Sequence, residues 1–179
     1  MKSLANDVLP FFFGIKWTAV FHCKWDNKAL SCVIATDESF GSANGLTINT
    51  DRTKLFVNDL VQKQITVYSI HQNNQKLTRD EIISLPMVVD NIEYDDATQE
   101  ILMGTVPDLW AAVQIHSNKS FPVPGGMAVL EGIGKDWRVK DVVEHDGTKL
   151  SEISAAARFG TKIILGSPWS EGVLVCNIN

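Results

Sequence analysis

The sequence has no apolar run close to the ~20 residues that a helix needs to cross a bilayer, so we expect no membrane-spanning segment. It has no excess of positive charge either, because 16 Lys and Arg stand against 21 Asp and Glu, a net charge of −5. Nucleic acids attract basic surfaces, so we do not expect nucleic acid as a partner. A G-x-S-x-G motif is absent, which removes the serine nucleophile of the α/β-hydrolases from the candidate chemistries. Residues 1–14 lack the long apolar core of a secretory signal, and the sequence leaves the localisation open.

Cysteine is scarce, with Cys23, Cys32 and Cys176 as the three examples. Their spacing contains no C-x-x-C pair, so the sequence predicts no zinc or iron–sulfur site. Cys23 and Cys32 would face each other across a hairpin that turns near residue 26. Reduced thiols are nevertheless the more common state in a chain without a secretory signal, and we expect free thiols.

Short strands in a repeated order are what the sequence has in abundance. Asn44 and Asn91 stand 47 residues apart, and each opens an alternating strand. A polar turn and a second apolar strand follow both of them, at 54–57 and at 100–104. A weaker third copy begins at 154–157. Its alanines favour a helix by propensity, but the repeat predicts a strand, followed by another at 162–167.

Further strand candidates fill the intervals between these copies. They lie at 18–23, 30–35, 64–70, 81–85, 138–143 and 172–176, with 111–115 and 127–130 competing for one place. The third copy follows at a longer interval, so we expect an insertion at 120–126, where prolines and glycines cluster.

A repeat of ~40–50 residues with four strands per unit is typical of a β-propeller. The strand order predicts two outer strands, two complete blades and three inner strands. We therefore predict an all-β fold, a single partial propeller domain over 1–179, holding three to four blades. This is about half of a ring, too little to close one alone.

Polar residues at the blade entries are the candidates for chemistry. The innermost strands of a propeller line its central channel, so Asn44 and Asn91 would converge there, with Asp90 beside them. Amide and carboxylate oxygens are the ligands that calcium prefers, and the sequence predicts Asn44, Asp90 and Asn91 as metal ligands. Both segments also read as ordinary turns, since Asn-Gly and Asp-Asn are common there.

Several segments together resemble the serum paraoxonase/arylesterase family, in its C-terminal half. They are 43–46, 54–57, 64–68, 89–92 and the ending from 162 to 176. The resemblance implies a six-bladed propeller with calcium in its channel, and the hydrolysis of lactones, aryl esters and some phosphotriesters. It also implies that Asn44, Asp90 and Asn91 bind the calcium and that Ser167 lies on the wall of the pocket for a small ester or lactone substrate.

The sequence departs from the family at several points. Val106 stands where the family has a histidine, and Ser42 stands where a phenylalanine lines the substrate pocket. The family's other calcium ligands, its candidate bases and the partner of the C-terminal cysteine belong to a first half that has no counterpart here. We therefore expect a truncated hydrolase whose active site is incomplete. The alternative is a non-catalytic propeller fragment that associates with itself, or with a missing first half, through its open blade edges.

Overall fold

The computed structural model describes residues 14–71, 75–115, 118–133 and 136–178. Antiparallel strands dominate this part of the chain, which contains one helix. In chain order the elements are β1 (Phe21–Trp25), β2 (Leu30–Ile34), β3 (Ala43–Ile48), β4 (Lys54–Asp59), β5 (Gln64–Ser69), β6 (Thr78–Ser84), β7 (Val89–Asp95), β8 (Glu100–Thr105), α1 (Leu109–Gln114), β9 (Gly125–Ile133), β10 (Asp136–His145), β11 (Ala155–Phe159), β12 (Lys162–Gly166) and β13 (Leu174–Asn177).

The strands form four successive sheets, each made of strands that are neighbours in sequence. β1 pairs with β2, β3 to β6 form a four-stranded sheet, β7 to β10 form a second one, and β11 to β13 form a three-stranded sheet. The predicted succession of a hairpin, two complete blades and three further strands is therefore confirmed. The fold is an all-β partial propeller.

Alternating side chains explain why the blades stack. On β4, Phe56 packs towards the second blade, while Leu55 and Val57 pack towards the first hairpin. On β8, Met103 lies in the same core as Phe56, and Leu102 faces the last sheet. Successive residues of a strand point to opposite faces, so an apolar run such as β4 or β8 supplies the core on both sides of its blade.

The segment between β8 and β9 differs from the prediction. Of the two segments that competed for one strand, 127–130 is confirmed, since it lies in β9, and 111–115 is wrong, since α1 covers most of it. Asp108 caps this helix, because its Oδ1 accepts a hydrogen bond from the Ala111 amide at 2.9 Å. The extra chain therefore starts well before 120. The alanine-rich segment does form the predicted strand, β11, with Ala156 buried against the second blade.

The first hairpin corrects the expectation of free thiols. Cys23 and Cys32 are direct cross-strand partners, with Cα atoms 4.1 Å apart, and they form a disulfide. The hairpin register brings the two sulfurs together. Cys176 is free and half-buried. No helix in the described part of the chain is both long and apolar enough to cross a membrane.

Candidate functional site

The three predicted metal ligands lie in two β-bulges, one at the start of each complete blade. The ladder register shifts by one residue over 43–46 in β3 and over 89–92 in β7. Asn44 lies in the first bulge, and Asp90 and Asn91 lie in the second. A bulge re-aims side chains at the end of a strand and is frequent beside active sites.

The bulges also correct the repeat. The register shift begins at residue 43 in β3 and at residue 89 in β7, so the structural interval is one residue shorter than the 47 that separates the two asparagines. Asn44 is therefore equivalent to Asp90, and Gly45 is equivalent to Asn91. The sequence match failed because both bulges contain two polar or small residues, and only the hydrogen-bond ladder tells which one pairs with which.

Gly45 brings the two bulges into contact. A Cβ atom on this residue would lie 2.5 Å from the Ile92 nitrogen and 2.7 Å from the Asn91 Cα. No side chain fits at these distances, so the close approach of β3 and β7 requires glycine. As a result, the Asn44 side chain interacts with the Asp90 carboxylate.

Hydrogen bonds fix the backbone of the second bulge on both sides. The buried Asn58 amide donates from Nδ2 to the carbonyl oxygens of Val89 at 2.6 Å and Asp90 at 2.9 Å. The Asn91 amide donates to the Ser154 carbonyl, just before β11, at 2.9 Å. Two complete blades and the last sheet thus hold Asp90 and Asn91 in one place.

Asp90 sits among groups that disfavour its charge. Burial and the negative charge of Glu152 raise the pKa of Asp90 to about 6, against an opposing effect of the Asn44 side chain. Burial also raises the pKa of Glu152. The described residues contain no group of three or more His, Cys, Asp or Glu side chains suited to a metal ion. Any cation here would therefore depend on the amide oxygens of the two asparagines.

Sequence reasoning missed Glu152. This residue precedes β11 and has a positive φ of 53°, which is uncommon for a residue with a side chain. Its backbone amide donates to the Val123 carbonyl at 2.8 Å, and its carboxylate accepts a hydrogen bond from Trp169 Nε1. Its place just before the third copy of the repeat was a sign that it could lie near the other two blade entries. Its backbone conformation and its hydrogen bond with Trp169 were not visible in the sequence.

Ser167 lies in the turn after β12, close to this segment. Its hydroxyl donates to the Ser151 carbonyl and accepts from the amides of Trp169 at 3.1 Å and Ser170 at 3.2 Å. These bonds give the hydroxyl a role in holding the turn. Its contact with substrate stays a prediction.

The structure also shows where Val106 and Ser42 lie, the two residues that differ from those of the family. Val106 is 2% exposed and packs with Leu60 and Val88, so an apolar contact occupies the position of the family's histidine. Ser42 is half-buried, and its amide donates to Asp59 Oδ1 at 3.0 Å. Neither residue brings an ionisable group to the site.

A cavity of about 240 Å³ adjoins the second bulge. It lies between β7 and the last sheet, and small or apolar residues form most of its wall. The lining includes Asn91, Ile92, Ala155, Ala156, Ile164 and Gly166. A small, mostly apolar molecule therefore has room directly beside a candidate ligand.

A protein-family model described as arylesterase matches residues 6–178 of the chain. The chain belongs to the arylesterase family. It is 29% identical to human serum paraoxonase/lactonase 3, over 97% of this chain and 48% of the human protein. It is 29% identical to the rabbit (Oryctolagus cuniculus) protein of that name, over 89% of this chain and 43% of the rabbit protein. Serum paraoxonase/arylesterase 2 of Bos taurus is 24% identical, over 89% and 43%.

The chain thus spans about half the length of the curated relatives it matches. Solved structures support the fold alone. A luciferin-regenerating enzyme superposes with a TM-score of 0.56 at 11% identity, over 82% of this chain and 43% of that one. A structure described as a 6-phosphogluconolactonase from Bacteroides uniformis gives 0.56 at 10% identity, over 90% and 47%.

Proposed function

We propose that this chain carries part of the active site of a calcium-dependent hydrolase of esters and lactones. The observation that supports the proposal is the contact between two bulges that present Asn44, Asp90 and Asn91, in a member of the arylesterase family. Relatives of this chain are named paraoxonases, lactonases and arylesterases. These names point to a small ester or lactone as the substrate.

The donor set fits calcium. It consists of oxygen atoms from two amides and a carboxylate, which are the hard ligands of this ion. Gly45 leaves out the Cβ atom that would otherwise separate the two bulges. The half-buried Asp90 lies near a second carboxylate, and a divalent cation would relieve the repulsion between the two charges.

In this reaction the residues of the chain would bind the calcium ion and orient the substrate. Calcium, when bound, would stabilise negative charge on the substrate carbonyl oxygen as a Lewis acid. Asn44, Asp90 and Asn91 would hold the ion. The hydrogen bonds that Asn58 donates to the backbone of the second bulge, and the one that the Asn91 amide donates to Ser154, keep Asp90 and Asn91 in place. The cavity beside Asn91 would take an apolar part of the substrate.

We further propose that the site is incomplete in this chain alone. Calcium takes 6–8 oxygen ligands, which is more than three side chains provide, and Val106 offers no general base. We expect the 179-residue chain to hydrolyse phenyl acetate and a δ-lactone no faster than buffer, with or without calcium. A rate that a chelator abolishes and that Asn91→Ala removes would contradict the incompleteness.

Calcium binding tests the site itself. Isothermal titration at low salt should detect calcium binding by the wild-type chain and a loss of at least tenfold in affinity in Asp90→Asn. Glu144→Gln, which neutralises an exposed carboxylate on β10, is the matched control and should bind like the wild type. Absence of both calcium binding and hydrolysis in the wild-type chain would refute the proposed function.

A non-catalytic role in assembly is the second candidate. The hairpin and the last sheet expose large apolar side chains: Phe21 at 59%, Trp25 at 67%, Leu30 at 61%, Phe159 at 77% and Val175 at 51%. Exposed apolar surfaces of this kind mark sites of association, so a second copy or a separate first half would cover them. Light scattering that gives a monomer across the micromolar range would reject self-association.

A further inference from the structure

We propose that Glu152 supplies a second carboxylate to the cation held by Asn44, Asp90 and Asn91. The inference rests on the proposed function and extends it to a residue outside the predicted site. Its starting point is the entry to β11. β3 and β7 carry candidate ligands where they begin. Glu152 lies three residues before β11, the first strand of the last sheet. Ser154, two residues further on, accepts a hydrogen bond from the Asn91 amide.

The backbone on both sides of Glu152 is fixed. The Ser154 amide donates to the Gly166 carbonyl at 2.9 Å, and the Glu152 amide donates to Val123. The next residue, Ile153, is 1% exposed and belongs to the core between the last two sheets. A segment tied down in this way presents its side chain from a constant position, as a metal ligand requires.

Glu152 has a left-handed backbone conformation, as do four other non-glycine residues in the described part of the chain. Its φ of 53° lies in the left-handed region, where glycine would be the unstrained choice. Trp169 Nε1 donates to Oε2 and so restricts the orientation of the carboxylate. An acidic side chain held in place near another carboxylate supports a functional role.

Glu152 acts on Asp90 as a nearby negative charge, and among the described residues the groups that shift the pKa of Asp90 include no cationic side chain. Two partly buried carboxylates repel each other unless a cation lies between them. With Glu152 included, the ligand set has two formal negative charges and four side chains, which approaches what a calcium site needs.

Terbium luminescence tests the proposal on the full chain, because Tb³⁺ replaces Ca²⁺ at oxygen sites and accepts energy from a nearby tryptophan. We expect sensitised luminescence in the wild type, competed by calcium. In Trp169→Phe the luminescence should fall by more than half, and calcium affinity from titration calorimetry should also fall, because phenylalanine removes the hydrogen bond that orients the Glu152 carboxylate. In Glu152→Gln the calcium affinity should fall at least tenfold.

Two further variants separate ligand loss from misfolding. Glu152→Gly removes the carboxylate and the left-handed strain, so it should weaken calcium at least tenfold without lowering the thermal midpoint of the apo chain. Glu93→Gln neutralises an exposed carboxylate on β7 near the same cavity and should leave affinity unchanged. If Glu152→Gln and Glu152→Gly keep wild-type affinity while Asp90→Asn loses it, the inference fails and the proposed function stands. If the wild type binds no calcium, both fail.

Discussion

Substitution of Gly104 by alanine tests the packing between the second blade and the last sheet. A Cβ atom there would lie 2.3 Å from both the carbonyl carbon and the oxygen of Ser154. Ordinary contacts between heavy atoms lie at about 3.5–4 Å, so the backbone of β8 or of residue 154 has to move by more than 1 Å. Overpacking of this kind costs about 1–3 kcal/mol, and we expect the upper end because the obstacle is backbone.

Gly166 is the matched control for this variant. It ends β12 as Gly104 nears the end of β8, in a similar sequence. Among the described residues, its Cβ would meet one atom within 4 Å, the Ala155 Cβ at 3.9 Å. Gly166→Ala should therefore be neutral or stabilise by about 0.5 kcal/mol, because alanine loses less chain entropy than glycine.

Thermal unfolding followed by circular dichroism measures both changes, in chelator so that metal binding does not contribute. A loss of about 3 kcal/mol lowers the midpoint of a chain of this size by roughly 6–12 °C. Gly104→Ala should show such a fall and Gly166→Ala should show none. Equal thermal midpoints for the two variants would show that β8 and the Ser154 backbone are not in close contact.

Three other predictions concern the ion pairs and the hairpin. Alkylation of the denatured, unreduced chain should label Cys176 alone, and reduction should expose two more thiols. Reduction should also lower the free energy of unfolding by at most about 3 kcal/mol, the value expected for the closure of a ten-residue loop. Three labels before reduction would contradict the disulfide. Arg158 on β11 pairs with two carboxylates, with Nε 2.6 Å from Asp95 Oδ2 and Nη2 3.3 Å from Glu100 Oε2. Arg158→Met should therefore lower the free energy of unfolding in urea by about 1–3 kcal/mol. A loss below about 0.5 kcal/mol would show that the last sheet does not depend on these ion pairs. Burial acts to raise the pKa of Asp80, but hydrogen bonds from Lys54 and Ser69 outweigh it and hold that pKa below its usual value. Asp80→Asn should therefore lose less than about 1 kcal/mol at pH 7, and the difference from wild type should vanish as the pH falls from about 4 through the lowered pKa, because the charged form is the one that the fold favours; a difference that persists at pH 2 would contradict this.

The course of the strands could be predicted because it depends on local patterns. Alternation in 64–70 and the apolar runs of β4 and β8 follow from burial on one or both faces of a strand. The repeat then placed β11, although its alanines favour a helix. The segment 111–115 shows the limit of this reasoning, since a short apolar run fits a strand or a helix equally well, and the cap from Asp108 decides between them.

The candidate site could be predicted only in part. Asn44, Asp90 and Asn91 were predicted as ligands because blade entries repeat, and that role stays a prediction. Their correspondence between the blades was off by one residue, since a bulge leaves no mark in the sequence. Glu152 was not found, because its nearness to Asp90 comes from contacts between strands more than sixty residues apart in the chain.

The sequence by itself determined the strands, their grouping into blades and the family, because these follow from side-chain alternation and from residues in a fixed order. The tertiary structure alone decided the Cys23–Cys32 disulfide, the position of the bulges and the approach of Glu152 to Asp90. Each of these depends on the register between strands or on the contact between blades. Register and contact are set by hydrogen bonding and close packing across the whole core, and no local stretch of sequence contains that information.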